Sequence, residues 1–271
     1  MLSPDLIDTL DRFLLDLNAA AAEVILPLFR AEHDGMEDKG PAGAFDPVTA
    51  ADKGAEAAIR KLITARFPEH GVIGEEYGED RPDAEFVWVL DPVDGTRAFI
   101  AGLPVWTTLI GLRFQGRPVL GSIGQAYTGE IYLGHAGGSR LVSRDGTRPL
   151  KVRKGIPLTQ AIIATTDPHA CFNGAELGAW RQVRSAARLA RTGCDAYAYA
   201  QVAAGRIDLV VEAGLKAWDI DAAIPVLEGA GGYVTDWTGA PVGAFGGQVA
   251  LAGEKAVLDE ALVALKRAAT V

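Results

Sequence analysis

The chain has 271 residues, a formal net charge of −9 at pH 7 and a hydrophobic content of 49%. This is an ordinary globular composition with enough apolar surface for a sizeable core. The acidic balance, without any block of Lys or Arg, argues against nucleic-acid binding. Cys171 and Cys194 lie outside any CxxC pair and indicate neither a zinc site nor a disulfide framework. We expect a reduced, cytoplasmic protein without a signal peptide or membrane span.

The first part of the chain predicts two long helices followed by an antiparallel meander. Apolar residues recur at helical spacing from Leu6 to Leu28, with Ser3 as N-cap and Pro4 in the first turn. Residues 34–47 predict a loop, and a second helix begins at Thr49, which fits a capping box with Asp52. Short apolar runs then predict strands at 71–74, 86–90, 107–114, 118–127 and 130–134.

The second part of the chain predicts alternating strands and helices. Strands are expected at 161–166 and 207–212, and helices at 174–190, 195–205 and 219–232. Residues 137–155 show only a weak apolar pattern and are expected to form the seam, or boundary, between two halves of the chain. The sequence therefore predicts an α/β protein with an N-terminal half, 1–150, that carries the antiparallel sheet, and a C-terminal half, 151–271.

Two carboxylates end the apolar run "FVWVL" within the sequence "DPVDGT". Pro92 denies the next residues a helical start, so Asp91 and Asp94 should project from a sharp strand-to-helix turn. The amides of Gly95 and Thr96 should point the same way and form an anion site. Carboxylates can lie beside an anion site when divalent cations bridge the carboxylates and the bound anion. Mg²⁺ prefers such oxygen ligands. The alternative is that both aspartates only cap a helix.

Three further acidic elements lie at strand ends or helix starts. Glu75 and Glu76 follow a short apolar strand in "VIGEEYGE", and Asp219 opens an amphipathic helix in "AWDIDAA". Asp52 lies in the first turn of the second predicted helix. Taken singly, these residues fit solvated loop charges, a helix cap and half of a capping box. Their occurrence together favours one shared metal site.

The motifs "GEE", "DPVDGT" and "WDIDAA", in this order and at these separations, resemble the inositol-monophosphatase superfamily of Mg²⁺-dependent, lithium-sensitive phosphatases. The resemblance covers nearly the whole chain. It implies a homodimer and the αβαβα sandwich that inositol monophosphatase shares with fructose-1,6-bisphosphatase. Two longer stretches, "DGTRAFIAGLPVWTTLIGL" and "GCDAYAYAQVAAGRIDLVVEAGLKAWD", are most similar to the histidinol-phosphate phosphatase branch.

The resemblance implies two or three Mg²⁺ ions in one active site. The first ion would be bound by Glu75, Asp91 and the backbone carbonyl of Val93. The second would be bound by Asp91, Asp94 and Asp219, and a third, weaker ion would use Glu75 with waters. Paired ions suit an in-line displacement at phosphorus because they stabilise the entering and the leaving oxygens.

The resemblance also implies which groups handle water and phosphate. Thr96 and Asp52, hydrogen-bonded to each other, would orient the attacking water and accept its proton, together with the metal-bound Glu75. The amides of Gly95 and Thr96 would hold the phosphate. No covalent phosphoenzyme is needed.

Residues of the second half bear on the choice of phosphate ester. Histidinol phosphate carries an ammonium and an imidazole, so its leaving group should seek carboxylates. By resemblance, Glu212 and Asp94 match substrate contacts of the family, and Asp195 falls at a substrate-facing position. The alternative for Asp195 is a cap of the helix at 195–205. Arg191 is either a partner for these acids or an ordinary surface arginine.

Several functions stay open at this point. A Mg²⁺-dependent phosphomonoesterase for histidinol phosphate, in histidine biosynthesis, is preferred. An inositol-1-phosphate or broad sugar-phosphate phosphatase is the alternative within the same chemistry, and a regulatory or binding protein that keeps the fold is the alternative from another class. Complete metal positions, with Asp52 and Thr96 both present, favour a working active site. Lys39 and His169 are assigned no role.

Overall fold

The structure is a computed structural model that describes residues 2–31, 37–38, 47–48 and 50–270. Two helices, α1 (Pro4–Ile25) and α2 (Ala50–Arg66), form its first layer. Ser3 Oγ accepts the amide of Leu6 at 3.3 Å, which confirms the predicted N-cap. The short strands β1 (Glu37–Asp38) and β2 (Pro47–Val48) pair within the stretch predicted as a loop. His33, Lys39 and Thr49, and with Thr49 the predicted capping box, lie outside the described residues.

An eight-stranded sheet, the first sheet, packs beneath these helices. Its strands are β3 (Gly71–Gly74), β4 (Gly78–Asp80), β5 (Phe86–Asp94), β6 (Thr107–Phe114), β7 (Arg117–Gln125), β8 (Glu130–His135), β9 (Gly138–Ser143) and β10 (Gly146–Pro149). They lie in the order β10–β9–β8–β7–β6–β5–β3–β4, in which β3 and β5 are parallel and the other neighbours are antiparallel. The short helix α3 (Thr96–Ile100) follows β5 directly.

The stretch predicted as a seam, residues 137–155, instead continues the first sheet through β9 and β10. The two strands form a hairpin in which Gly146 pairs with Ser143. Leu141 is buried, and Arg140 forms an ion pair with Asp11 of α1. Residues 138–149 therefore belong to the first sheet. The division into two halves at residue 150 stays a prediction.

A five-stranded sheet, the second sheet, is built from the later part of the chain. Its strands are β11 (Ile162–Thr165), β12 (Leu189–Thr192), β13 (Leu209–Leu215), β14 (Tyr233–Thr235) and β15 (Gly247–Ala252), in the order β12–β11–β13–β15–β14. Its helices are α4 (Gly174–Ala186), α5 (Asp195–Ala203), α6 (Ala217–Ile220), α7 (Ala223–Gly229) and α8 (Lys255–Leu265). The predicted helix over 174–190 ends early because residues 189–192 form an edge strand.

Five layers result from this arrangement. The pair α1 and α2 covers the outer face of the first sheet, α5 and α7 lie between the sheets, and α4 and α8 cover the second sheet. The predicted αβαβα sandwich is therefore confirmed. Within the described ranges, no helix is both long and apolar enough to cross a membrane.

The helix predicted over 219–232 is divided into α6 and α7, and α7 packs on the first sheet at glycine positions. A Cβ at Gly121 would lie 2.1 Å from the carbonyl oxygen of Ala222, and a Cβ at Gly134 would lie 2.3 Å from the Cα of Val226. Only glycine permits this close approach of two backbones. The contact carries α6, and with it Asp219, toward β5.

A buried ion pair fixes the same junction. Arg113 of β6 donates from Nε and Nη2 to the carboxylate of Asp221, and its Nη2 also donates to the carbonyl oxygen of Ala244 at 2.7 Å. Burial raises the pKa of Asp221, and the bonds from Arg113 lower it. Both side chains are nearly excluded from solvent, so water screens the two charges only weakly.

Removing one partner of this pair should destabilise the protein strongly. The remaining buried charge loses its counter-ion, so Arg113→Met should lower the free energy of unfolding by about 3–5 kcal/mol in urea denaturation. Lys255→Met, which breaks the exposed pair of Lys255 with Asp259, is the control and should cost less than about 1 kcal/mol. Equal losses in the two variants would show that the buried pair does not hold the junction.

Candidate active site

The two aspartates of the "DPVDGT" motif lie at the end of β5, on either side of a bulge. Asp91 pairs with Leu109 of β6 and Asp94 pairs with Thr107, so the register shifts between them. Such a bulge re-aims the side chains that follow it. Gly95 then takes φ +80° before α3 begins, a conformation that favours glycine. The strand thus continues to Asp94, beyond the predicted end at residue 90.

Asp91 is a buried carboxylate with an oxygen left unpartnered by the described residues. It is 3% exposed, and its Oδ1 has no hydrogen-bond partner in the part of the chain that the structure describes. Burial raises its pKa far above the usual value, followed by the negative charges of Glu75, Asp94, Asp219 and Asp52. These four predicted acids therefore lie close enough to Asp91 to act on its charge.

Asp94 is held by donors from both halves of the fold. Its Oδ2 accepts the amide of Ala196, the second residue of α5, at 2.7 Å and the hydroxyl of Thr107 at 3.2 Å. Burial and the charge of Asp195 raise the pKa of Asp94, and the amide of Ala196 lowers it. Sequence reasoning missed both donors. The signal for Thr107 is its position opposite Asp94 in the neighbouring strand.

Asp219 reaches the site from α6. Its Oδ2 accepts the amide of Lys216 at 2.6 Å, so the alternative of a helix cap is also realised. Burial raises the pKa of Asp219 to about 6, against the lowering effect of Lys216. A carboxylate has a second oxygen and further lone pairs, so capping leaves it able to bind a cation.

The acids perturb one another but do not form a closed coordination shell. Among the described residues, no group of three or more His, Cys, Asp or Glu side chains is gathered as a metal site. The pKa of Asp91 nevertheless responds to four neighbouring carboxylates. Carboxylates without a counter-ion repel one another and turn toward local donors, so an open arrangement is expected where no cation is bound. A buried carboxylate oxygen without a partner, on Asp91, fits a hard cation such as Mg²⁺.

The hydroxyl of Thr96 is engaged at the turn itself. Its Oγ1 donates to the carbonyl oxygen of Val93 at 3.1 Å. A hydroxyl has a single proton to donate, so donation to Asp52 would require Thr96 to rotate. Asp52 is buried in the first turn of α2 and acts on the pKa of Asp91. The pairing of Thr96 with Asp52 stays a prediction.

Asp195 lies directly over the "DPVDGT" turn. A Cβ at Gly95 would lie 3.1 Å from Oδ2 of Asp195. The N-cap of α5 is Cys194, without a side-chain cap bond, so the structure does not support the capping alternative for Asp195. Burial raises the pKa of Asp195 to about 6, and the guanidinium of Arg97 lowers it.

Glu212 lies on β13, the central strand of the second sheet, near Asp195. It is 1% exposed and accepts the Thr166 amide at 2.9 Å, the Thr166 hydroxyl at 3.0 Å and the Thr165 hydroxyl at 3.2 Å. Burial raises the pKa of Glu212 to about 8, although the bonds from Thr166 lower it. Asp195 contributes to this rise, so the two predicted substrate acids are neighbours.

The cation beside these acids is Arg97 rather than Arg191. Arg191 is exposed on the edge strand β12, where it lowers the pKa of the Cys194 thiol that burial raises. Arg97 Nη1 lies 3.6 Å from Oδ2 of Asp167 and acts on the pKa of Asp195. Sequence reasoning missed Arg97, although it directly follows Thr96. A substrate role for Arg191 stays a prediction.

Comparison with known proteins finds relatives along nearly the whole chain. The description "Inositol monophosphatase family" matches residues 6–270. The bifunctional phosphatase IMPL2, chloroplastic, of Arabidopsis thaliana is 44% identical over 241 residues, which cover 87% of this chain and 67% of the relative. The histidinol-phosphatase of Chlorobaculum parvum is 34% identical over 193 residues, which cover 71% of this chain and 73% of the relative.

Solved structures give the same result. An inositol monophosphatase from Zymomonas mobilis matches with a TM-score of 0.84 and 36% identity, over 98% of this chain and 100% of that one. The resemblance stated from the sequence motifs is therefore confirmed.

The buried acids should make stability fall as pH rises. The folded-state pKa values of Asp195 and Asp219, about 6, and of Glu212, about 8, lie above their ordinary values. Between the two values the folded protein holds protons that the unfolded chain has released, so this stabilisation is lost as pH rises through the folded pKa. In thermal melts of the metal-free protein, the melting temperature should fall from about pH 4 to about pH 8, with Asp195 and Asp219 contributing up to about pH 6 and Glu212 up to about pH 8.

Magnesium should offset this loss, because a carboxylate must be deprotonated to bind a metal ion. The increase in melting temperature on adding Mg²⁺ should therefore be larger at about pH 8 than at about pH 6. Glu212→Gln serves as a control. Without metal, it should flatten the dependence of melting temperature on pH near pH 8. A metal-free melting temperature that rises over this range would contradict the buried-acid interpretation.

Proposed function

Since the chain belongs to the inositol monophosphatase family, we propose that it is a phosphatase that hydrolyses L-histidinol phosphate to L-histidinol and phosphate. Members of the family are phosphomonoesterases and are generally Mg²⁺-dependent. The choice of substrate rests on one observation. Besides the acids around Asp91, a second acidic pair, the buried Asp195 and Glu212, lies beside the "DPVDGT" turn.

The acids around Asp91 would hold two or three Mg²⁺ ions. Glu75, Asp91 and the carbonyl of Val93 would bind the first, and Asp91, Asp94 and Asp219 the second, with a third at Glu75. Ions bound there supply positive charge that activates water and stabilises the leaving oxygen. The unpaired buried oxygen of Asp91 supports this assignment.

The chain's own groups orient the substrate and move protons. Amides in the first turn of a helix have no acceptor within the helix, so those of Gly95 and Thr96 are suited to phosphate oxygens. The left-handed backbone at Gly95 presents them after the strand. Asp52 would accept the proton of the attacking water, with Thr96 as its orienting partner.

The leaving group of histidinol phosphate is a cation, and the second acidic pair suits it. Asp195 lies over Gly95, next to the proposed phosphate site. Burial holds the pKa of Asp195 near 6 and that of Glu212 near 8. A bound ammonium or imidazolium favours the charged form of a neighbouring carboxylate, so substrate and acids stabilise each other. A neutral inositol ring lacks this effect.

One relative's name supports the same substrate. A histidinol-phosphatase aligns with 71% of this chain, and a role in histidine biosynthesis follows from this choice. Inositol-1-phosphate is the alternative substrate, because relatives named inositol monophosphatase align as well. We also propose a cytoplasmic homodimer, although one relative is described as chloroplastic.

Loss of one proposed metal ligand should abolish turnover without loss of the fold. Asp94→Asn keeps the side-chain volume and an oxygen that can accept the Ala196 amide, but it removes a negative charge. We expect phosphate release to fall by more than about 100-fold with an unchanged circular-dichroism spectrum. Near-normal Mg²⁺-dependent release by this variant would refute the ligand assignment, and release of no phosphate by the wild type would favour a binding protein.

Loss of the carboxylate at position 195 should affect one substrate selectively. A charged hydrogen bond is worth about 1.5–3 kcal/mol, so Asp195→Ala should lower kcat/KM for histidinol phosphate by roughly 10- to 100-fold. The loss with inositol-1-phosphate should be much smaller. Asp195→Asn, which keeps the shape, separates charge from packing. Equal losses on both substrates would remove the argument for a cationic leaving group.

A further inference from the structure

A buried glutamate on α2 has no part in the proposed chemistry, yet it lies against the turn that carries Glu75. Glu56 is 0% exposed and lies one helical turn after Asp52. Residues four apart share one face of a helix, so both carboxylates face the first sheet. A buried carboxylate is costly unless its oxygens accept hydrogen bonds, so its partners indicate what it does.

Three donors surround the carboxylate of Glu56. Its Oε2 accepts the amide of Glu76 at 2.8 Å, and its Oε1 accepts the amide of Tyr77 at 3.2 Å. Arg60 Nε donates to the same Oε1 at 2.8 Å, and Arg60 also donates to the carbonyl oxygen of Gly78. Glu56 and Arg60 together therefore hold the backbone of residues 76–78, directly after Glu75.

The turn is shaped for this contact from both sides. A Cβ at Gly74 would lie 2.1 Å from Oε1 of Glu56, so position 74 has no room for a side chain beside this carboxylate. On the other side, the amide of Glu75 donates to the carbonyl oxygen of Leu90 in β5 at 3.2 Å. The backbone of Glu75 is thus fixed between β5 and the α2 carboxylate.

We propose that Glu56 is a positioning residue for the metal site, because it fixes the turn that presents the Glu75 carboxylate beside Asp91. This inference rests on the proposed function, in which Glu75 binds Mg²⁺. Removing a group that holds a metal ligand in place typically weakens metal binding by about 10- to 100-fold. One face of α2 then serves two tasks, since Asp52 lies on it as well.

The competing explanation is that Glu56 only joins α2 to the β3–β4 hairpin. A purely structural contact would change the stability of the fold and leave the affinity of the folded protein for Mg²⁺ unchanged. The Mg²⁺ dissociation constant of the metal-free protein, measured by titration calorimetry without substrate, separates the two explanations.

Glu56→Gln is the variant for this experiment. Glutamine has the same shape but a single acceptor oxygen, so its NH₂ group faces one of the three donors and the turn is displaced. We expect the Mg²⁺ dissociation constant to rise by about 10-fold or more. The KM for the phosphate ester, measured at saturating Mg²⁺, should stay at the wild-type value because no substrate contact changes.

Glu176→Gln is the matched control. Glu176 is also a buried helical glutamate, and it accepts the amide of Asn173 at 2.7 Å and the Nε2 of Gln248 at 2.6 Å. It lies on α4, in the outer layer against the second sheet. Its variant should lower the melting temperature and leave the Mg²⁺ dissociation constant unchanged.

If Glu56→Gln does not melt cooperatively, Arg60→Met takes its place. This variant keeps the carboxylate but removes the Arg60 bonds to Glu56 and Gly78, and it should raise the dissociation constant in the same direction. A wild-type dissociation constant in the folded variant overturns the positioning role. Equal Mg²⁺ binding by the wild type and Asp94→Asn would instead overturn the metal site itself, so the two failures are distinguishable.

Discussion

The burial of several like charges around Asp91 is the constraint on which the rest of the site depends. Glu75, Asp94, Asp219 and Asp52 all act on a carboxylate that is almost without solvent contact. Ionised carboxylates in such surroundings cost several kcal/mol each, and they are stabilised either by protons or by a counter-cation. The raised pKa values follow from this arrangement, and the magnesium dependence of the family is consistent with it. A dication bound there, as we propose, would relieve the repulsion.

A stiff frame is needed to hold such charges together, and the fold supplies it locally. Buried strand β5 carries Asp91 and Asp94 between two neighbouring strands. Asp219 comes from the later part of the chain, so its position depends on the packing of α7 against Gly121 and Gly134 of the first sheet. The Arg113–Asp221 pair fixes the same junction directly beside α6. This pair is neutral as a unit, so it adds rigidity without adding to the excess of negative charge.

Local signals explain how much of the fold could be predicted from the sequence. Helical spacing in α1 and turn residues around β6 to β8 act over a few residues, and both were predicted correctly. The strand β10 is exposed throughout and β12 is a short edge strand, so neither carries the apolar pattern that marks a buried strand. The break between α6 and α7 depends on contact with the first sheet. An uninterrupted amphipathic pattern gives no sign of it.

At the site, too, features that are local in sequence could be predicted and contacts between distant residues could not. Its acids lie at element ends in recognisable motifs, but the groups that hold them are distant in sequence. The Ala196 amide that binds Asp94 is 102 residues away, and the Glu76 amide that binds Glu56 is 20 residues away. Asp195 adopts φ +44°, which is uncommon for a residue other than glycine. Such strain persists where surrounding contacts impose it, and here the next residue's amide is bonded to Asp94. The position of the proposed substrate acid is thereby tied to a proposed metal ligand, so a shift of one would be passed to the other through this hydrogen bond.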